Sequence, residues 1–312
     1  MTRYERLCRR ARSSLMIGGA LIIQAALAPP AEAKKIASKP NILLIVADDL
    51  GYSDVGAFGG EVATPNLDAL AAKGMVLANF HTSPSCSPTR AMLLTGADNH
   101  KVGLGAMAET LTPEMIGHDG YEGVLNGKAL TLSERLQKLG YFTAMSGKWH
   151  LGLGEDQSPA SRGFERSYVL LQGSHHHFGD DQGQDWVSAG AASTYRDDGA
   201  MVLYPRGAFS ADVFTDKMLT YLSEASKKRR PFFAYLAFTQ PHWPIQAPEA
   251  DIRKYRGRYD AGPAVLRAER IARMKKLGLI PQDMEIRGPQ GDIDWTALPS
   301  ATKGAEARKL EE

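Results

Sequence analysis

The pattern of apolar and polar positions predicts strands and helices that alternate along the chain. Residues 41–47 form a continuous apolar run rich in branched side chains, which is typical of a strand buried on both faces of a sheet. Further strands are predicted at residues 75–80, 141–145 and 232–238. Each of these three runs follows a Gly or a Pro.

Start and stop signals mark the predicted helices. Thr64 and Pro65 open a short helix that stops at Gly74, and a capping box at residues 131–134 opens another that stops at Gly140. Later helices are predicted at residues 210–228, 264–277 and 306–312. Strands alternating with helices predict an α/β sandwich with a largely parallel or mixed sheet.

One internal region lacks this periodicity. Residues 151–205 are rich in Gly, Ser, Asp and His, which predicts long loops able to cover a site. They include the run His175-His176-His177, which is a candidate transition-metal site or a wall of a substrate pocket. Exposure of these three histidines to solvent is at least as well supported by the composition of the loop.

The N-terminus has the features of an export signal. Residues 1–33 combine an Arg-rich head, an apolar stretch at residues 15–28 and a small-x-small cleavage site at Ala31-Glu-Ala33. The apolar stretch is shorter than the ~20 residues that a membrane-spanning helix needs, although an uncleaved anchor is an alternative. We expect a periplasmic or secreted protein, free of the membrane after cleavage, with residues 34–312 as its folded domain.

Composition and charge exclude several classes of protein. The chain has 312 residues, of which 43% are hydrophobic and 23% charged, enough apolar material for a folded domain and too much for a disordered chain. Without residues 1–33, which hold five Arg and two Glu, 32 basic residues face 33 acidic ones. No basic field therefore attracts nucleic acid.

Two clusters carry candidate chemistry. Asp48 and Asp49 directly follow the first predicted strand, where a carboxylate pair suits a hard cation such as Ca²⁺, the alternative being a solvated turn. Cys86 is the cysteine that remains after signal cleavage, so it forms no internal disulfide. Pro88 places Cys86 at a helix N-terminus with Arg90 on the same face, the alternative being a buried core cysteine.

Cys86-Ser-Pro-Thr-Arg90 resembles the signature of the sulfatase family. The likeness is supported by further motifs in family order at residues 39–52, 64–70, 147–152 and 241–244. It is greatest to the bacterial arylsulfatases, which implies an alkaline-phosphatase-like α/β/α fold and hydrolysis of small-molecule sulfate monoesters.

The resemblance also implies a nucleophile and a metal. In that family a maturation enzyme oxidises the signature cysteine to formylglycine, and a hydroxyl of the hydrated aldehyde attacks sulfur. Cys86 would be that residue, and Arg90 would stabilise the hydrate. Asp48, Asp49 and the modified position 86 would be ligands of a calcium ion.

Three further residues match family positions. Lys148 resembles the lysine that binds the sulfate group, and His150 the histidine that helps to break the sulfated intermediate. His242 resembles the histidine that assists the leaving oxygen. Because Lys148 and His150 are two apart on what looks like an extended segment, we expect them to point to one side.

The chain departs from the family pattern in its length. Family members continue further, and a later Asp-Asn-Gly segment supplies two more calcium ligands, followed by another sulfate-binding lysine. Asp98-Asn99 is followed by His100, so no such segment is found. We expect an N-terminal portion of a sulfatase domain, incomplete at its C-terminus, with little activity and weak calcium binding alone.

Two other functions compete with sulfate ester hydrolysis. Phosphonate and phosphodiester hydrolases share the Cys-x-Pro-x-Arg signature and the fold. A non-catalytic binder of sulfated ligands would explain the missing calcium ligands.

Overall fold

A mixed six-stranded sheet is the centre of the part of the chain that the computed structural model describes, residues 39–179, 193–288 and 294–311. Its strands are β1 (Ile42–Asp48), β2 (Phe142–Lys148), β3 (Arg166–Leu170), β4 (Tyr195–Asp197), β5 (Ala200–Val202) and β6 (Phe232–Pro241). Their order is β1-β6-β2-β3-β4-β5. In this order the first four strands run parallel, β4 is antiparallel to β3 and β5 is antiparallel to β4, which confirms the predicted mixed sheet.

Helices lie on both faces of this sheet. The described helices are α1 (Pro65–Lys73), α2 (Cys86–Thr95), α3 (Leu132–Lys138), α4 (Ser210–Lys227), α5 (Glu249–Ile252), α6 (Pro263–Lys276) and α7 (Ser300–Glu311). Alternate residues of β6 point to opposite faces, so Phe233 and Tyr235 join the core beneath α2 and α3. Ala234 and Leu236 join the core beneath α4.

Four of the five helix predictions hold closely, whereas the helix predicted at 306–312 begins earlier, at Ser300. Thr131 Oγ1 accepts a hydrogen bond from Glu134 N at 3.1 Å, and Glu134 Oε2 accepts one from Thr131 N at 2.6 Å. This is the predicted capping box at the start of α3. The predicted helices at 210–228 and 264–277 correspond to α4 and α6 within one residue at each end.

Strand β1 differs from the prediction of burial on both faces. Ile42, Leu44 and Val46 pack against the core, but Leu43 and Ile45 are each 48% exposed. The reason is position: β1 is an edge strand, and no helix of the described residues covers its second face. Sequence periodicity cannot distinguish this edge from a central strand because the run is apolar throughout.

The strand predicted at residues 75–80 is wrong. The segment is irregular, and Met75, Leu77 and Phe80 are exposed. Together with Leu67 and Leu70 of α1 they line an apolar groove of about 620 Å³. Apolar composition alone suggested a strand, but no strand among the described residues pairs with this segment.

The prediction of loops over residues 151–205 is wrong in part. Strands β3, β4 and β5 all lie in this region and extend the sheet. Their apolar runs are short, with Tyr168–Leu171 the most buried, so a loop-rich composition masked them. Residues 180–192 lie outside the described residues, as do residues 1–38 with the predicted signal peptide. Within the described ranges, no helix has the length and apolar content to cross a membrane.

Candidate active site

The ends of three parallel strands bring the predicted site residues together. Asp48 ends β1, Lys148 ends β2 and His242 follows β6. Because β6 pairs with both β1 and β2 in parallel, their carboxyl ends meet at one edge of the sheet. Asp48 lies opposite Pro241 in the strand register, next to His242.

Asp48 is the centre of a buried ionic cluster. Its side chain is 6% exposed, and its Oδ1 lies 3.1 Å from Arg90 Nη2 while its Oδ2 lies 2.5 Å from Lys148 Nζ. Burial alone would raise the pKa of Asp48, but the two cations outweigh burial and hold that pKa below its ordinary value. Asp48 is therefore a permanent anion at neutral pH.

Arg90 joins helix α2 to the strands. Its Nη1 donates to the carbonyl oxygen of Lys148 at 2.8 Å and to Tyr235 Oη at 3.4 Å. The side chain is 3% exposed. A guanidinium with several fixed partners is rigid, so Arg90 holds Cys86, four residues earlier on the same helix, against Asp48.

Cys86 is the first residue of α2, as its sequence predicted. Ser85 precedes the helix in extended conformation, and Pro88 lies in the first turn. Cys86 Sγ lies 3.6 Å from Asp48 Oδ1, and the residue is partly exposed. The alternative of a buried core cysteine is thus wrong, because the thiol opens onto a cavity.

That cavity has a volume of about 360 Å³. Its wall is formed by Asp49, Pro84, Ser85, Cys86, Met107, Glu109, His150, Gly173, Ser174, His242 and Trp243. Lys148 is fully buried and absent from this wall, since its ammonium points to Asp48. The cavity therefore joins the thiol to both predicted catalytic histidines, with Lys148 behind Asp48.

Asp49 and His242 face each other across the opening. His242 Nε2 lies 3.6 Å from Asp49 Oδ2, and the Asp49 side chain is 59% exposed. Asp49 has a left-handed backbone, φ 63°, which turns the chain sharply after β1. Two adjacent aspartates consequently point to different surroundings, one buried and one at the surface.

The sequence predicted that Lys148 and His150 lie on one extended segment and point to one side, but the backbone at His150 is not extended. Its φ is 57°, and its Nε2 contacts Glu109 Oε1 at 2.7 Å. Burial alone would raise the pKa of Glu109, but the hydrogen bond and charge of His150 hold that pKa below its usual range. A Cβ at Gly173 would lie 2.5 Å from His150 Cε1 and 2.9 Å from Glu109 Oε1. Gly173 therefore leaves the space that this pair occupies.

Sequence reasoning missed Glu109. It lies in a single 3-10 turn, Ala108–Thr110, outside the predicted strands and helices. Nothing in its spacing links it to His150, which is 41 residues further along the chain. Tyr235 was missed for a different reason, because it looked like one of several apolar residues of a buried strand.

The donor atoms partly fit a hard cation. Three potential ligand atoms lie within 4.8 Å of one another, one each from Asp48, Cys86 and His242. Asp49 adds a second carboxylate beside them. Carboxylate oxygens suit Ca²⁺, whereas a thiol sulfur does not. Position 86 fits such an ion once it presents an oxygen in place of sulfur.

The three consecutive histidines are not solvent-exposed. His175 and His177 are 0% and 1% exposed, and His176 is partly buried. Burial lowers the pKa of His175 well below its ordinary value, with the neighbouring His177 as the next contribution, so His175 is neutral. The expectation of exposure is wrong because the loop packs under the end of β6.

Comparisons with known proteins agree with one another. A family model described as Sulfatase matches residues 40–287. An uncharacterised sulfatase of Schizosaccharomyces pombe is 46% identical over 283 residues, covering 88% of this chain and 51% of that protein. An arylsulfatase of Klebsiella aerogenes is 40% identical over 260 residues, covering 83% of this chain and 55% of that enzyme.

A solved structure shows the same similarity in three dimensions. The crystal structure of Ps i-CgsB in complex with k-i-k-neocarrahexaose has a TM-score of 0.56 at 26% identity, covering 88% of this chain and 55% of that one. This likeness confirms the predicted alkaline-phosphatase-like α/β/α fold. The chain spans about half the length of the curated relatives it matches.

Proposed function

Because the chain belongs to the sulfatase family, we propose that it carries the active site for hydrolysis of sulfate monoesters, with aryl sulfates as the first substrates to test. The observation that supports this most is the group of Cys86, Asp48 and Arg90, held within 3.6 Å contacts at the strand ends. His150 and His242 line the cavity onto which Cys86 opens.

The nucleophile in this proposal is position 86 after conversion to formylglycine by a maturation enzyme. When present, formylglycine supplies a hydrated aldehyde, one hydroxyl of which can attack sulfur while the second remains. The partly exposed thiol at the start of α2 supports this assignment, as does the matching Cys-x-Pro-x-Arg motif. Arg90 fixes the helix start and directs positive charge toward it.

Charge at the site suits a sulfate ester. A sulfate monoester is an anion whose leaving oxygen gains negative charge as the S–O bond breaks, so fixed cations and a proton donor stabilise the transition state. Arg90 and Lys148 supply two buried cations around Asp48. His242, whose Nε2 faces the opening beside Asp49, would assist the leaving oxygen from this position.

His150 has a different environment and a different task. Its Nε2 is paired with Glu109, as in other carboxylate–imidazole pairs that orient a base. We propose that this pair accepts a proton at position 86 when the second half of the reaction releases sulfate. Glu109 fixes the ring and compensates the charge that the ring acquires.

Calcium would be held by Asp48, Asp49 and an oxygen at position 86, where it would supply Lewis-acid polarisation of the sulfate. These groups are fewer than the 6 to 8 oxygen ligands that Ca²⁺ prefers. Lys148 and Arg90 already neutralise much of the charge of Asp48. We therefore expect weak calcium binding by this chain.

We propose a periplasmic or secreted protein, because the N-terminal residues match the pattern of an export signal. Its substrate would be a small sulfate ester that reaches that compartment. The maturation enzyme would act before the chain folds around position 86, since helix α2 packs against the sheet through buried Arg90.

The test is turnover of three matched aryl esters, a sulfate, a phosphate diester and a phosphonate, by protein produced together with a maturation enzyme. It is run on this chain and on a version extended to the length of its relatives, with Cys86→Ala as the control. We expect the extended protein to prefer the sulfate, and Cys86→Ala and the short chain to show little turnover. Preference for the phosphorus esters would support the alternative hydrolase. Saturable binding of the aryl sulfate without turnover in both lengths would support a non-catalytic binder.

A further inference from the structure

The buried histidines lie directly beneath the loop that carries His242. Residues 175–177 contact residues 239–246 at several points. His175 Nε2 lies 2.9 Å from Thr239 Oγ1, and Tyr195 Oη contacts the other ring nitrogen of His175. His177 N donates to Gln246 Oε1 at 2.8 Å. These hydrogen bonds join two segments that are far apart in sequence.

One of the contacts reaches His242 itself. His177 Nε2 lies 3.0 Å from the carbonyl oxygen of His242. A carbonyl oxygen only accepts hydrogen bonds, so Nε2 of His177 carries the proton. In the neutral ring, Nδ1 is then an acceptor.

The surroundings of His177 Nδ1 match this tautomer. Gln240 Nε2, which only donates, lies 3.2 Å away, and the Thr239 and Ser210 hydroxyls lie at 3.2 and 3.4 Å. Gln240 Nε2 also donates to Ser210 Oγ at 2.7 Å. Because the Gln240 amide nitrogen can only donate to Nδ1, the N–H of His177 is on Nε2 and points to the His242 carbonyl oxygen.

Contacts with the adjacent main chain orient the His242 ring. Its Nδ1 contacts the carbonyl oxygen of Trp243 at 2.5 Å, and its Nε2 faces Asp49 across the cavity opening. The His242 N–H donates to Thr239 O at 3.1 Å. Because the ring is held to the adjacent main chain, a shift of the His242 carbonyl moves Nε2 relative to position 86.

We propose that His177 is a positioning residue for His242, acting through the hydrogen bond from its Nε2–H to the His242 carbonyl oxygen. This inference rests on the proposed function for the role of His242 in assisting the leaving oxygen. His177 is absent from the cavity wall, so in this proposal it acts through His242 and not by contact with the substrate. His175 Nε2, Thr239 Oγ1 and Gln240 Nε2 each lie 3.2 Å from His177 Nδ1 and hold the ring from the side away from His242.

The first experiment uses the 312-residue chain labelled with ¹⁵N-histidine and records two-bond nitrogen–proton spectra of the imidazole rings. We expect His177 to show a protonated Nε2 and an unprotonated Nδ1. His177→Leu, which removes the donor, should shift the ring signals of His242, whereas His177→Gln, which keeps an N–H donor, should shift them less. His100→Leu is the control, since that ring is 53% exposed and pairs with Asp98. Unchanged His242 signals in a folded His177→Leu protein would overturn the proposal.

The second experiment measures kcat for aryl sulfates whose phenols differ in acidity, using the extended protein with position 86 matured. Positioning of a leaving-group acid predicts a loss in His177→Leu that is small for the most acidic phenol and rises to about tenfold or more for weakly acidic ones. His177→Gln should recover part of this loss. An equal loss across the series would indicate general structural damage and would overturn the proposal. If the parent hydrolyses no aryl sulfate, the proposed function fails, while the ring spectra still decide whether His177 sets the position of His242.

Discussion

Replacing Asp48 by Asn should destabilise the fold strongly, because it leaves two buried cations without their counter-ion. Asp48 contacts Arg90 at 3.1 Å and Lys148 at 2.5 Å, and the three side chains are 6%, 3% and 0% exposed. Removing one partner of a buried pair costs about 3–5 kcal/mol. With two cations affected, we expect a loss of about 4 kcal/mol in the free energy of unfolding, a large part of the about 5–15 kcal/mol that a typical domain has.

An exposed ion pair provides the control, because it has the same contact distance as the buried pair but is not buried. Asp251 lies 2.5 Å from Lys254, the same distance as Asp48 from Lys148, but these two side chains are 52% and 65% exposed. Asp251→Asn should therefore cost under about 1 kcal/mol. Urea unfolding of the parent and both variants, in buffer with a calcium chelator, measures the two losses from the midpoint and the slope.

The stability lost in Asp48→Asn should depend on pH in a definite direction. The folded pKa of Asp48 is lower than its ordinary value, so its ionisation stabilises the fold above the unfolded pKa of about 3.9. That stabilisation is lost as the pH falls through the folded pKa. The difference between parent and Asp48→Asn should accordingly be full at pH 7 and shrink below about pH 4. Equal losses for Asp48→Asn and Asp251→Asn at pH 7 would refute the reasoning.

Three further outcomes are expected. In the matured, extended protein, Lys148→Ala and His150→Ala should each lower turnover of an aryl sulfate by about 10² or more, and near-normal kcat in a folded variant would remove that residue from the mechanism. Glu109→Gln should lower kcat by about tenfold with little change in the urea midpoint, because it removes the charge beside His150 and keeps the shape; an unchanged kcat would contradict the proposed pair. Gly147→Ala should give mostly insoluble protein, because the new Cβ would lie 1.8 Å from Ala237 O and the backbone φ of 114° disfavours a side chain. Soluble protein with the urea midpoint of the parent would contradict this.

The parts of the site that follow strands could be predicted from sequence. Asp48 comes directly after an apolar run, and the family motifs identified Lys148 and His242 a few residues beyond two other runs. Parallel strands bring such positions to one edge of the sheet. Pro88 likewise predicted the start of α2, because its ring is tolerated in a first turn. In these cases a local signal determined the three-dimensional position.

Other features depended on contacts that no local signal encodes. Glu109 reaches His150 from an irregular segment, and His177 is buried because β6 ends above it. The outer face of β1 is exposed because of its place in the strand order, which the apolar run did not reveal. Short-range patterns thus predicted the elements, while strand order and loop packing determined burial.

The central claim is that position 86 becomes formylglycine at the start of α2 and supplies the nucleophile. Mass spectrometry of the tryptic peptide 74–90, from protein produced together with a maturation enzyme, tests this most directly. We expect the peptide mass to show formylglycine in place of Cys86, and the unmodified cysteine mass when the maturation enzyme is omitted. A peptide that carries only the unmodified thiol under both conditions would contradict the claim.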